Sequence, residues 1–374
     1  MQELLKWLEI IEDQRQQSKV QHLLTDIVAI VLFATLANAD EWEEIEDFAR
    51  NHEEYLREYL WLGNGIPSHD TIRRVMGMIA PEMMQQAYQK WQELLNRDEG
   101  KKLRKIICID GKTMCSNARN GSKANHIVSA WSREDGVCLG QRATEEKSNE
   151  ITAIPALLKT LAIKGQVVTI DAMGTQTEIA KTIRSQKADY VLALKGNQSS
   201  LAEDVRLYFE DDDVLKEIKA HGGYLLSKPE KAHGQIERRE YYQSGDIGWL
   251  HQKKRWPGLK SIIMEKKTIF TKAGEKVERR YFISSLPLNI DLVCRAVRGH
   301  WAVEIMHWYL DVTFREDANS TLDKIAAQNQ NIIRKWALSI LKLMDIGGRK
   351  MSLKRKRYNI STNPCKWLDQ VFAL

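Results

Sequence analysis

Asp110 and Asp171 each end an apolar run, Ile106-Ile107-Cys108-Ile109 and Val167-Val168-Thr169-Ile170. Carboxylates delivered together from strand ends suit a hard divalent cation such as Mg²⁺ or Mn²⁺, which prefers oxygen ligands and keeps several waters. Two such ions about 3.5–4 Å apart activate the attacking oxygen and stabilise the leaving one in phosphoryl transfer. Glu304, on a later helix able to pack across a sheet, is the candidate third carboxylate; Asp311 and Glu316 compete with it. Taken singly, Asp110-Gly111 and Asp171-Ala172-Met173-Gly174 read as turns. What raises them above turns is that both end apolar strands at matching places. A rival chemistry is a transition-metal site from His300, Glu304 and His307, but the HExxH order of zinc proteases is missing.

The elements that would position these acids follow from periodicity. Lys105 to Ile109, His126 to Trp131 and Val137 to Thr144 are three candidate strands, the last two separated by Arg133-Glu134-Asp135-Gly136. Asn149 to Leu161 then reads as a helix capped by Ser148 or Asn149, Gln166 to Ile170 as a strand, Thr175 to Gln186 as a helix and Tyr190 to Leu194 as a strand. Three consecutive strands can form a meander, while strand–helix–strand units cross over and add parallel strands. The expected result is an α/β fold: a mixed five-stranded sheet with flanking helices, the order of an RNase H-like core. A charged helix near Leu201 to Glu210 follows, then a β-rich insertion at about 222–286 with strands Ile236 to Tyr242, Ser261 to Thr271 and Val277 to Ser284. Helices return from Ile290 to Phe314 and from Ile325 to Met344.

The first hundred residues read as a small all-α domain. Asp26 is a candidate cap for the apolar stretch Ile27 to Ala39, and Ser68 or Asp70 for a helix beginning near Thr71. Arg73 and Arg74 lie on that helix, as they would in a DNA-binding module or in any helical bundle. The expected division is 1–100, 101–348 and a basic C-terminal tail at 349–374.

The chain has 374 residues, 43% hydrophobic and 28% charged, ordinary values for a soluble globular protein of two or three domains. Its longest apolar run is too short to cross a bilayer, and the first residues lack the pattern of a signal peptide, so a cytoplasmic protein is expected. Five cysteines without a CxxC pair indicate neither a disulfide framework nor a zinc knuckle. The formal charge of +6 and a pI near 8.9 are mildly basic. Arg349, Lys350, Lys354, Arg355, Lys356 and Arg357 concentrate positive charge in the tail, where it can grip phosphates or remain solvated.

Several motifs in order carry a resemblance. They are Ile109-Asp110-Gly111-Lys112-Thr113, Asn149-Glu150-Ile151-Thr152-Ala153-Ile154-Pro155, Asp171-Ala172-Met173-Gly174 and Leu194-Lys195-Gly196-Asn197-Gln198. His233-Gly234-Gln235-Ile236-Glu237-Arg238-Arg239 and Arg298-Gly299-His300-Trp301-Ala302-Val303-Glu304 follow, with Trp42 to Phe48 and Gly65 to Thr71 near the start. Over about residues 13–344 the chain resembles the H-repeat-associated group of bacterial insertion-sequence DDE transposases. The resemblance implies an RNase H-like catalytic domain with a β-rich insertion, preceded by a helical associated domain. It implies that Asp110, Asp171 and Glu304 bind two Mg²⁺ or Mn²⁺ ions and catalyse cleavage at the element's ends, followed by joining to target DNA. Arg298 matches the arginine of the group's signature helix, and Lys112 and Lys195 fall in matching motifs as phosphate contacts. Arg73, Arg74, Arg238 and Arg239 would add a basic face for double-stranded DNA, terminal inverted repeats and target alike, and His300 and His307 would pack near the site or touch DNA. A two-ended substrate implies a homo-oligomer at work on the bacterial nucleoid. The sequence departs from the group at Ile305, where asparagine is usual, and at Asn319-Ser320-Thr321-Leu322, where basic residues are usual. Two alternatives stay open: a metal-dependent nuclease that cuts without joining, and a decayed or domesticated DNA-binding protein.

Overall fold

The computed structural model describes residues 6–95, 104–114, 124–144, 150–232, 234–271, 274–348 and 350–373. Helices α1 (Leu24–Leu36), α2 (Trp42–Asn51), α3 (His69–Met76) and α4 (Pro81–Leu95) come first. α1 is apolar on every side and buried, as a helix without a polar face must be. Asp26 does not cap it. It lies inside the first turn, buried, and accepts the Leu62 N–H at 3.2 Å. Ser68 does cap α3, which begins at His69, earlier than Thr71.

The next three strands, β1 (Ile106–Thr113), β2 (His126–Ser132) and β3 (Val137–Thr144), form the expected antiparallel meander. Gly136 turns between β2 and β3 at φ +68°, a left-handed backbone that favours glycine. α5 (Glu150–Lys159) crosses to β4 (Val167–Ile170), and α6 (Thr177–Ser185) to β5 (Asp189–Leu194); β4 runs parallel to both β1 and β5. The positions expected to cap α5, Ser148 and Asn149, lie outside the described residues. The order β3-β2-β1-β4-β5 is consistent with an RNase H-like core.

The sheet does not stop at five strands. After α7 (Ser199–Tyr208) and α8 (Asp212–Ala220), the insertion supplies β6 (Tyr224–Leu226), β7 (Glu230–Ala232), β8 (Gln235–Ser244), β9 (Ser261–Thr271) and β10 (Gly274–Ser284). β10 pairs antiparallel with β5, and β9, β8 and β6 follow outward, with β7 beside β8, making one ten-stranded sheet. The outer edge of β5 would otherwise leave its backbone donors and acceptors unpaired. The insertion is therefore continuous with the core rather than an appendage.

Alternation along β1 divides two hydrophobic cores. Ile107 and Ile109 face α5, α6 and α7, while Ile106 and Cys108 face α9 (Ile290–Gly299), α10 (Trp301–Trp308) and the N-terminal helices. Between the N-terminal helices and the sheet runs α11 (Lys324–Leu343), capped by Asp323, whose carboxylate accepts the Ala326 N–H at 2.7 Å. Asn329 donates to Met76 O (2.7 Å) and Ile79 O (2.8 Å), and Lys335 to Ser129 (2.8 Å) and Gln141 (2.6 Å), so α11 holds the N-terminal helices against β2 and β3.

The stretch expected as a basic tail is largely helical: α12 (Leu353–Thr362) and α13 (Pro364–Ala373). Two of its cations turn inward. Lys356 donates to Leu341 O and Met344 O at the end of α11, at 2.6 and 2.5 Å. Arg357, wholly buried, ion-pairs with Asp40 at 2.6 Å and donates to the carbonyls of Thr35 and Thr313. Lys350, Lys354 and Arg355 remain exposed, and Arg349 lies outside the described residues. Among the described residues no helix is long and apolar enough to cross a membrane.

Candidate active site

Ile109 pairs with Ile170 across β1 and β4, so the next residues stand at one level: Asp171 just past the end of β4, and Asp110 inside β1, which runs on to Thr113 paired with β2 instead of ending at Ile109 as expected. α10 approaches on the Cys108 face. At its start Cys108 Sγ donates to Gly299 O at 3.2 Å, and His300 Nδ1 lies 3.0 Å from Thr169 Oγ1. One turn on comes Glu304, and three residues later His307, whose Nδ1 lies 3.5 Å from Asp110 Oδ2.

The electrostatics tie these groups together. Burial pushes the Asp110 carboxyl up, but the His307 hydrogen bond and the charges of His307 and His300 bring it below its ordinary value. Glu304, although its residue reaches solvent, is raised by desolvation and by the negative charge of Asp110. Burial lowers His300 against the pull of both Asp110 and Asp171. Asp171 serves its turn as well, accepting the Gly174 N–H on Oδ1 at 3.1 Å.

The loops around Asp171 are braced from β5. Thr175 Oγ1 donates to Ala193 O at 2.6 Å, Asn197 donates to Ala172 O, and Gln198 Nε2 donates to Thr175 O at 3.0 Å. Asn197 and Gln198 therefore hold the turn that carries the acid, a task their sequence positions alone did not disclose. Beneath Asp110, a Cβ at Gly111 would collide with the hydrogen-bonded His126 and Glu150 side chains.

The cations expected at phosphate fall into two sets. Lys195 is exposed just beyond β5, at the edge where Asp171 emerges, and Arg74 is exposed on α3. The others have carboxylate neighbours. Lys112 Nζ reaches Asp311 (2.7 Å), Asp317 (3.0 Å) and Glu316 (3.1 Å), which hold its ammonium charged well above the ordinary range despite burial. Arg73 pairs with Asp70 at 2.8 Å. Arg239 is buried against Glu237, Glu230 and Glu265; Arg298 reaches Glu230 at 3.0 Å; Arg238 lies 4.0 Å from Glu240.

Glu316, a rival for the third carboxylate, is fully buried and takes Asn331 Nδ2 at 2.7 Å as well as Lys112, so it is a structural acid. The departures at Asn319 and Thr321 also have tasks. Asn319 Nδ2 donates to Asp40 O (3.2 Å) and the Trp42 indole donates to Thr321 Oγ1 (2.9 Å), fastening this loop to the N-terminal helices. Ile305 is exposed beside Glu304. One further cation went unnoticed in the sequence: Arg280 of β10, whose positive charge acts on Glu304 and His300 and whose guanidinium lies 5.6 Å from the Trp301 ring centre.

Among the described residues no three His, Cys, Asp or Glu side chains are gathered closely enough to hold a metal ion as they stand. The donor chemistry of Asp110, Asp171 and Glu304 nevertheless fits a hard cation. All three are oxygen donors, and the desolvation and Asp110 charge that raise Glu304 are both effects that a bound divalent ion would offset.

Comparison with known families decides the lineage. The family described as Transposase DDE domain matches residues 101–340, and the one described as DDE_Tnp_1-associated matches residues 5–92. The chain belongs to the DDE transposase family. It is 40% identical over 383 residues to the putative transposase YncI of Escherichia coli O157:H7, spanning 100% of this chain and 95% of that one. It is 37% identical over 351 residues to the H repeat-associated putative transposase YhhI of Escherichia coli K12, covering 91% and 90% of the two chains. A shorter relative, the inactive transposase YbfQ of the same strain, is 42% identical over 76 residues, 20% of this chain and 90% of its own. The H-repeat-associated resemblance therefore holds, and the associated family's match coincides with the helices that pack on α11.

Proposed function

We propose that this DDE transposase family member cuts DNA at the ends of a mobile element and joins the freed 3′ ends to target DNA, using Asp110, Asp171 and Glu304. What supports the reading most directly is the Ile109–Ile170 register, which sets two aspartates side by side beneath the helix bearing the glutamate. Those three carboxylates would hold two Mg²⁺ or Mn²⁺ ions, whose chemistry when bound would be to activate the attacking oxygen and to neutralise charge on the leaving one. The protein's own contribution is positional. His307 orients Asp110, Thr169 and His300 seat the start of α10 on the sheet, and Asn197 fixes the turn after Asp171. RNase H-like topology, the division into 1–100, 101–348 and 349–374, an oligomer bridging two ends, and a cytoplasmic, nucleoid-bound site of action belong to the same reading.

Lys195 and Arg74, both exposed, would meet the DNA backbone, and Arg73, Arg238 and Arg298 would join them where their carboxylate partners yield. Lys112 and Arg239 are more deeply committed to acids and would act through the fold. A second reading, a decayed element that binds DNA without rearranging it, draws on the exposed Ile305 beside Glu304. The test is a strand-transfer assay with a duplex carrying one element end and a supercoiled target in Mn²⁺. Joined products support the transposase, cleavage without joining supports a nuclease, and binding alone supports the decayed element.

A further inference from the structure

The row of groups beneath α10 does not end with the acids. β4 and β5 pair with Ile170 opposite Leu192, so Asp171 is level with Ala193. β5 and β10 pair antiparallel with Leu194 opposite Tyr281, and continuing that register sets Lys195 beside Arg280. Side chains alternate along each strand, so Asp110, Asp171, Ala193, Lys195 and Arg280 share the face that α10 covers. β10 lies two strands from β4, about 10 Å at the usual strand spacing. That is the reach of a few nucleotides, which rise about 3.4 Å each along a DNA strand.

Arg280 differs from the cations around it. On its own strand Glu278 is taken by Lys267 (2.9 Å) and Lys276 (2.8 Å). Across the ladder Glu265, its direct partner in register, is taken by Arg239 (3.5 Å) and Tyr241 (3.2 Å). Both of these sheet carboxylates are thus spent on other donors, and the remaining acid that feels the Arg280 charge is Glu304 of the site itself. The guanidinium instead lies near the face of Trp301, three residues before Glu304 on α10. Stacking on an indole leaves the edge N–H groups of a guanidinium free for a planar, bidentate acceptor such as a phosphate.

We propose that Arg280, with Lys195 beside it, binds a backbone phosphate of the DNA strand that enters the acid site, so that the β9–β10 hairpin forms one wall of that site. The inference rests on the reading of the chain as a DNA-processing enzyme and gives a task to the insertion. An acidic cluster repels a polyanion. Fixed cations a few nucleotides away offset that repulsion while leaving the acids free for metal. Trp301 links this contact to α10, so the strand and the Glu304 helix are held by one element.

The test is binding rather than activity. A fluorescein-labelled DNA duplex with a 3′ single-stranded extension is titrated in EDTA, from low to high salt, against the wild-type chain and the variants Arg280→Ala, Arg280→Gln and Arg280→Lys. Far-UV circular dichroism and melting confirm that the variants fold. Loss of one phosphate contact lowers the steepness of log K against log salt by about 0.7–0.9. Arg280→Ala and Arg280→Gln should show that loss and bind several-fold more weakly at moderate salt, whereas Arg280→Lys should keep the wild-type slope. Methylphosphonate substitution at one position of the oligonucleotide should weaken the wild type and leave Arg280→Ala unaffected. Unchanged slopes in the folded Ala and Gln variants would overturn the Arg280 assignment alone. A wild-type chain that shows no salt-dependent DNA binding would overturn the DNA reading with it.

Discussion

Lys112 Nζ lies 2.7 Å from Asp311 Oδ1, and the same ammonium holds Glu316 and Asp317, tying β1 to the loop that follows the glutamate helix. Replacing Lys112 by Met keeps most of the stem but leaves the fully buried Glu316 short of its main cation. Breaking a buried pair on one side typically costs about 3–5 kcal/mol, and Asn331 should hold Lys112→Met to about 3. Urea unfolding of the variant should show that loss. A midpoint equal to wild type would mean that the cage does not brace the loop.

Arg357 should matter more than its place near the C-terminus suggests. It is wholly buried, paired with Asp40 and bonded to carbonyls of α1 and of the loop after α10. Arg357→Met should destabilise the chain by about 3–5 kcal/mol in denaturant unfolding, because among the described residues Asp40 then stays buried with Arg315 as its one ion-pair partner. A double change that also replaces Asp40 with Asn should cost less than the sum of the single changes.

The contact between α2 and α3 carries a pH dependence. Glu46 is held down to about 2, first by the His69 backbone N–H, and its carboxylate also pairs with the His69 ring, at 2.7 Å. His69 is raised in turn by the Glu46 hydrogen bond. A depressed acid stabilises the fold above its unfolded pKa, and this is lost as pH falls through about 2. A raised histidine stabilises below its unfolded pKa, and this is lost as pH rises through its folded one. The two windows overlap from about pH 5 to about 6.5. His69→Ala should therefore lower the melting temperature more at pH 5.5 than at pH 9; an equal loss at both would remove the ion pair from the account.

Gly111 should tolerate no side chain. A methyl there meets the hydrogen-bonded His126 and Glu150, and overpacking of a tight core typically costs about 1–3 kcal/mol. Because Asp110 is the neighbouring residue, Gly111→Ala should also cut DNA cleavage by more than its stability loss explains. A folded Gly111→Ala protein with full cleavage would show that Asp110 needs no such precise seat.

Much of this was legible in the residues. The apolar runs before Asp110 and Asp171, and the helices between strands, dictate crossovers and hence the order of the first five strands. What stayed hidden depends on long-range pairing. Nothing local in Gly274 to Ser284 says that it closes the edge of β5 rather than a separate sheet. Lys112 and Arg357 look like surface cations because the acids that bury them lie far away in sequence, and Asp26 looks like a cap because α1 begins two residues earlier. Arg280 has no motif at all; only the register beside Lys195 and the Trp301 ring single it out.

The central claim is that Asp110, Asp171 and Glu304 act together on DNA. Its most direct measurement is cleavage of a duplex carrying an element end, in Mg²⁺ and in Mn²⁺, by the wild type and by Asp171→Asn. That change keeps the shape and the hydrogen bond to Gly174 but removes the charge. Cleavage should fall at least about a thousandfold, roughly 4 kcal/mol of barrier, with folding and metal-free DNA binding unchanged. Undiminished cleavage by Asp171→Asn, in a preparation free of other nucleases, would contradict it.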